Sequence, residues 1–144
     1  MYVLDANVVS EIRKIKSGRA DPNVAVWARS VRLEQLYVSA ITIQEIETGV
    51  LLIERRDPIS GAVLRSWFEN DVLRAFERRV LPVDAEVARR AAPLHVPDPA
   101  PVTDALVGAT ALVHSMTVVT RNISDFSRFP RLEVLNPWEP TRRP

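Results

Sequence analysis

Five acidic or amide side chains hold the chemical interest of this sequence, and they recur at comparable places along it. Asp5 ends the short apolar run Tyr2-Val3-Leu4, and Glu45 lies about one turn into the periodic stretch after Leu36-Tyr37-Val38-Ser39-Ala40. Asp104 opens the small-residue run Ala105 to Val113, while Asn122 and Asp125 follow Met116-Thr117-Val118-Val119-Thr120. If the apolar runs are parallel strands, all five positions meet at the rim where open α/β sheets hold their ligands. Like charges packed together there raise one another's pKa and repel, and a divalent cation is the usual relief. Oxygen donors without His or Cys favour Mg2+ or Mn2+.

Each acid also has a local reading. Asp5 reads equally well as an N-cap, and Thr42-Ile43-Gln44-Glu45 fits a capping box. Asp104 behind Thr103 suits the start of a helix, and Asn122 to Asp125 suit a local cap. Glu47 falls on nearly the opposite helix face from Glu45 and is no substitute for it. His95 and His114 read as structural or solvated, so a nucleophile activated by His has no support. Gly108 reads as a site of close helix packing, because no glycine-rich phosphate loop surrounds it.

The elements that must position these groups alternate. The spacing predicts strands at Tyr2–Leu4, Leu36–Ala40, Val80–Val83, Met116–Thr120 and Leu132–Leu135. Between them it predicts helices over Val8–Lys16, from Pro22 (with Val24, Trp27 and Val31 inward) and over Thr42–Arg56 (with Ile43, Ile46, Val50 and Ile53 inward). Further helices are predicted over Ile59–Arg78 (with Val63, Trp67, Val72 and Phe76 inward), from the Asp84 cap to Leu94, and over Ala105–Val113. A proline-rich loop fills His95 to Val102. Such alternation implies an α/β fold: a central parallel sheet with helices on both faces.

At 144 residues and 47% apolar content, the chain has room for one domain with a substantial core. Its net charge of +1 announces neither nucleic acid nor a membrane surface. Seventeen of its nineteen basic residues are Arg, a bias that suits phosphate contacts but that a GC-rich genome also produces. The absence of cysteine excludes disulfides, zinc thiolate sites and thiol catalysis. Met1 leads straight into an apolar run that ends on Asp5, so no signal peptide is expected, and the longest uncharged run, Ala105 to Thr120, falls short of a membrane span. A soluble, cytoplasmic protein without membrane contact is expected.

The motifs Leu4-Asp5-Ala6-Asn7-Val8, Ser39-Ala40-Ile41-Thr42-Ile43-Gln44-Glu45, Asp104-Ala105-Leu106-Val107-Gly108-Ala109-Thr110-Ala111 and Val119-Thr120-Arg121-Asn122 resemble, in order, those of PIN-domain ribonucleases. The similarity is strongest to the VapC and FitB toxins of bacterial type II toxin–antitoxin pairs. It extends over residues 1–138, through Asn136-Pro137-Trp138, leaving 139–144 as a disordered tail. The resemblance implies a PIN-like fold and a ribonuclease dependent on Mg2+ or Mn2+, in which Asp5 and Asp104 bind metal and Glu45 completes the acids. Asn122 matches a fourth position, which Asp125 could fill instead, and Asn7, Ser39 and Arg121 match residues lining the site. It further implies an RNA substrate, a DNA-binding antitoxin and a homodimer. Two departures stand out. Ala6 replaces a frequent Thr, and the proline-dense loop reshapes the approach to Asp104.

Rival readings are weaker. A haloacid-dehalogenase phosphatase needs a second Asp where Asn7 stands, and a receiver domain needs a late lysine, whereas the only lysines are Lys14 and Lys16. A catalytically silent PIN-like binding module is the remaining alternative, against which the retention of the three core acids argues. Finally, Trp27, Ile46, Val50 and Ile53 exceed what one sheet face needs, so some are expected at an antitoxin groove or dimer seam.

Overall fold

A computed structural model describes residues 1–140. The last four residues of the predicted tail lie outside them. Five short strands, β1 (Tyr2–Leu4), β2 (Leu36–Ser39), β3 (Val80–Leu81), β4 (Thr117–Val119) and β5 (Val134–Leu135), form one sheet in the order β3-β2-β1-β4-β5. Every pairing is parallel, as the alternation of strands and helices implied. Successive residues of a strand face opposite ways, and here both faces are buried. Leu4 and Val119, paired across β1 and β4, point into one core with Leu36 and Val38. Val3 and Val118, paired one residue earlier, point into the other.

The first core is closed by α1 (Ala6–Ile12), α2 (Pro22–Ser30) and α3 (Ala40–Arg56), through Val8, Val9, Trp27, Ile46 and Val50. The helix α4 (Pro58–Trp67) packs along α3, with Gly61 against the Glu54 backbone, where any side chain would collide. Opposite, α6 (Ala85–Ala91) and α7 (Val102–Val113) close the second core, α7 burying Ala105, Val107, Gly108, Ala109, Thr110 and Ala111. Gly108 does serve close packing, although its neighbour is the Phe129 ring. Among the described residues no helix is long and apolar enough to cross a membrane.

Several boundaries differ from expectation, each for a local reason. The Asp5 side chain accepts from the Ala6 N–H, so α1 starts at Ala6, two residues early. It ends at Ile12 rather than Lys16, and tight turns follow up to Gly18, whose φ of +72° suits glycine. Ser39 caps α3 by accepting from Ile41 N–H, so the helix starts at Ala40 and no capping box forms at Thr42. The expected helix Ile59–Arg78 is interrupted by a π-helical turn, Phe68–Val72, before the short α5 (Leu73–Ala75). That wider turn places Phe68, Val72 and Phe76 in the core, leaving Trp67 at its edge and Val63 exposed. Pro93 ends α6 in a 3-10 turn, and α7 begins at Val102, so Asp104 lies in its first turn rather than opening it. The strands at 80–83, 116–120 and 132–135 shorten to β3, β4 and β5. Trp27, Ile46 and Val50 are buried core residues rather than a groove, since the α1–α4 layer packs them against the sheet. Ile53 is partly buried.

Candidate active site

In this strand order the chain first moves outward from β1 through β2 to β3, then returns to place β4 on the other flank of β1. The two connections leaving β1 and β4 diverge, opening a crevice at the carboxyl ends of these strands. Asp5 sits there, immediately after β1, with its backbone N–H held by the Val119 carbonyl at 2.9 Å. Thr120, immediately after β4, is completely buried, and its hydroxyl donates to Asp5 Oδ2 at 2.8 Å. The same Thr120 oxygen accepts from the Asn122 N–H at 3.0 Å. Asn7 Nδ2 lies 3.4 Å from both Asp5 Oδ2 and Thr120 Oγ1, and Asn7 Oδ1 accepts from the Arg121 N–H at 3.2 Å. Asp5 is therefore fixed by its neighbours from two strand ends.

Three further acids approach from other segments. Glu45 is in the second turn of α3, Asp104 in the first turn of α7, and Asp125 in the 3-10 turn Ile123–Phe126. Burial raises the Asp5 pKa; the Thr120 and Ala6 hydrogen bonds oppose this, and Asp125 adds to it. Asp104 is raised by burial, then by Asp125 and Asp5. Glu45 reaches solvent, yet partial desolvation and the charges of Asp5 and Asp104 push its pKa up to about 7. The four acids thus act on one another electrostatically, and among the described residues none forms an ion pair. No three of the described acids close into a ready-made ligand shell.

Of the remaining residues singled out, Asn122 contributes its backbone: its N–H reaches Thr120 and its carbonyl accepts from Asp125 N–H at 3.1 Å. At that corner Asp125 brings charge and Asn122 holds the turn. Ser39 is fully buried, with its hydroxyl engaged by Ile41 N–H. The Arg121 guanidinium lies over the Trp138 ring, 5.2 Å from its centroid. His95 Nδ1 accepts from Ala100 N–H at 3.1 Å, a structural role. Glu47 turns away from the acids and meets Arg65 at 2.5 Å. Thr120 escaped the sequence reading because it closes a β-branched run and looks like more strand. Its position immediately beyond a central strand, like that of Asp5, was the available signal.

The raised acids give metal-free stability a definite pH dependence. A carboxyl whose folded pKa lies above its unfolded value binds its proton more tightly when folded. For Glu45 the resulting stability is fully present below about 4.5 and is lost as pH rises through about 7; Asp5 and Asp104 act in the same sense. In chelator the melting temperature should therefore fall between these limits, and Glu45→Gln should flatten part of that fall. Identical pH profiles for both proteins would contradict the electrostatic coupling.

The model of the PIN domain matches residues 2–132. The VapC ribonuclease Y4jK of Sinorhizobium fredii is 35% identical, with 97% of this chain and 99% of the relative covered. Toxin FitB of Neisseria gonorrhoeae is 37% identical, covering 96% of this chain and 99% of its own. The crystal structure of FitAcB from Neisseria gonorrhoeae superposes with a TM-score of 0.84 at 34% identity, over 96% of this chain and 99% of that one.

Proposed function

Because the chain belongs to the PIN-domain family, we propose that it is a divalent-metal-dependent ribonuclease acting as the toxin of a toxin–antitoxin pair. The observation that carries this reading is the convergence of Asp5, Glu45, Asp104 and Asp125 from four chain segments, each of the first three raised by burial and by other acids. A hard divalent cation fits an all-oxygen set of that charge, and Mg2+ or Mn2+ would offset the repulsion. Asp5 and Asp104 would hold it, with Asp125 completing the corner that Asn122 shapes. When bound, such an ion makes water a better nucleophile at neutral pH and stabilises charge on the scissile phosphate.

The protein's own groups supply the rest. Thr120, by donating to Asp5 Oδ2, fixes the direction in which that carboxylate presents its oxygens. Glu45, which forms no ion pair among the described residues, orients the attacking water and takes up its proton on a carboxylate oxygen.

A toxin of cellular RNA acts in the cytoplasm and must be restrained until released. In this reading the restraint is an antitoxin, and the toxin works as a homodimer. An apolar cleft of about 530 Å3 between Val9, Ile12, Leu33, Trp67 and Phe76, edged by Arg13 and Lys16, suits an apolar antitoxin segment. In this reading that cleft, rather than the buried Trp27, Ile46 and Val50, would receive the antitoxin.

The test is direct. Purified protein should cleave RNA with Mg2+ or Mn2+ and stop in excess chelator, and its induced expression should arrest growth. Cleavage indifferent to chelator would remove the metal-dependent reading. Arrest without any RNA cleavage would favour the silent binding module.

A further inference from the structure

A metal held among the acids offsets charge at the scissile phosphate, and the neighbouring phosphates of an RNA strand call for a cation outside that cluster. Of the seventeen arginines, Arg121 and Arg128 flank the turn that carries Asp125. Arg121 already lies over Trp138. Arg128 is placed differently. Its Nη1 donates to the Leu94 carbonyl at 3.2 Å and to the Asp98 carbonyl at 3.0 Å, which accounts for both protons on that nitrogen. The Nε and Nη2 donors make no protein hydrogen bond among the described residues, and Arg128 forms no ion pair among them. A guanidinium held by one nitrogen keeps a preorganised donor edge suited to bidentate contact with phosphate.

Two clefts meet at this side chain. One, of about 180 Å3, runs from Arg128 past Ser124 and Ser127 to Asp104 and Asp125. The other, of about 400 Å3, lies beneath Pro93, Val96, Pro97 and Asp98. Arg128 therefore stands between the acids and an outer recess walled by the proline-rich loop.

We infer that Arg128 binds the RNA phosphate next to the one being cleaved, and that the two clefts it joins seat the nucleotides on either side of that phosphate. This rests on the ribonuclease reading and adds a substrate-gripping residue to it. Single-stranded RNA is recognised through such backbone contacts together with splayed bases.

The experiment measures binding of a short, fluorescently labelled, mixed-sequence single-stranded RNA across a salt series. It uses the whole protein with Mg2+, in a cleavage-silenced Asp104→Asn background. Each phosphate contact to a single strand contributes about 0.7 to the slope of log affinity against log salt. Arg128→Ala should lower that slope by about 0.7 and weaken binding about tenfold, whereas Arg128→Lys should keep most of the slope. With Asp104 restored, Arg128→Ala should raise KM with kcat little changed, as expected for loss of uniform substrate binding. An unchanged slope and KM in Arg128→Ala, while the parent cleaves RNA, would overturn this inference and leave the ribonuclease reading standing. Loss of kcat and thermal stability alone, equal in the Ala and Lys variants, would also overturn it, reducing Arg128 to a loop tether. A parent protein that neither binds nor cuts RNA would overturn both readings.

Discussion

Replacing Asp104 with Ala should lower RNA cleavage by at least about a hundredfold and lift growth arrest at an unchanged protein level. Losses of 10–100-fold are typical for groups that merely support a metal ligand, so removing a proposed ligand sets the larger expectation. The substitution should leave the fold intact. Asp104 lies in the first turn of α7 and makes no ion pair among the described residues. Its partly buried charge is raised in pKa by burial, by Asp125 and by Asp5, so removing it relieves repulsion. A melting temperature at or above that of the parent in chelator, together with lost activity, is the expected signature. Arrest that persists in both Asp104→Ala and Asp5→Ala would point to binding rather than cleavage.

Thr120→Val should produce the second large effect, a loss of about 10–100-fold in activity or metal affinity. The shape of the side chain is nearly preserved, and only the hydroxyl is lost. That hydroxyl donates to Asp5 Oδ2 at 2.8 Å and accepts from Asn122 N–H at 3.0 Å, joining the ends of β1 and β4 to the turn bearing Asp125. Without it Asp5 loses the bond that most lowers its pKa, and the raised carboxyl should rise further. Loss of metal affinity should therefore be strongest at mildly acidic pH and shrink as pH rises. Thr120→Ser, which restores the donor, should recover most of the activity. Equal activity in Thr120→Val and the parent would exclude Thr120 as a positioning residue.

The parallel sheet and the acids were legible because both rest on local patterns. Apolar runs ending on Asp5, or followed within a turn by Asn122, mark strand ends, and a parallel order brings those ends to one rim. What remained hidden depends on contacts distant in sequence. Thr120 reads as one more β-branched strand residue until β4 is seen beside β1. The true start of α3 turns on whether Ser39 or Thr42 caps it, and both are good caps. Ser39 prevails because it directly follows β2 and reaches Ile41 N–H. That choice frees Glu45 from a capping role. The different surroundings of Asn122 and Asp125 also needed three dimensions: Asp125, in the 3-10 turn, raises the pKa of Asp5 and Asp104, while the Asn122 N–H reaches the Thr120 hydroxyl. The π-helical turn at Phe68–Val72 left no sequence signal, and it changed which residues of that helix enter the core.

Calorimetric titration of Mn2+ into the metal-free protein tests most directly whether these acids form a metal centre. Saturable binding is expected at neutral pH, weakening as pH falls through about 7, where Glu45 takes up its proton in the metal-free protein. Asp5→Asn, while still folded, should abolish the binding heat. Binding of the same affinity in Asp5→Asn and the parent would contradict the claim that the crevice at β1 and β4 holds the metal.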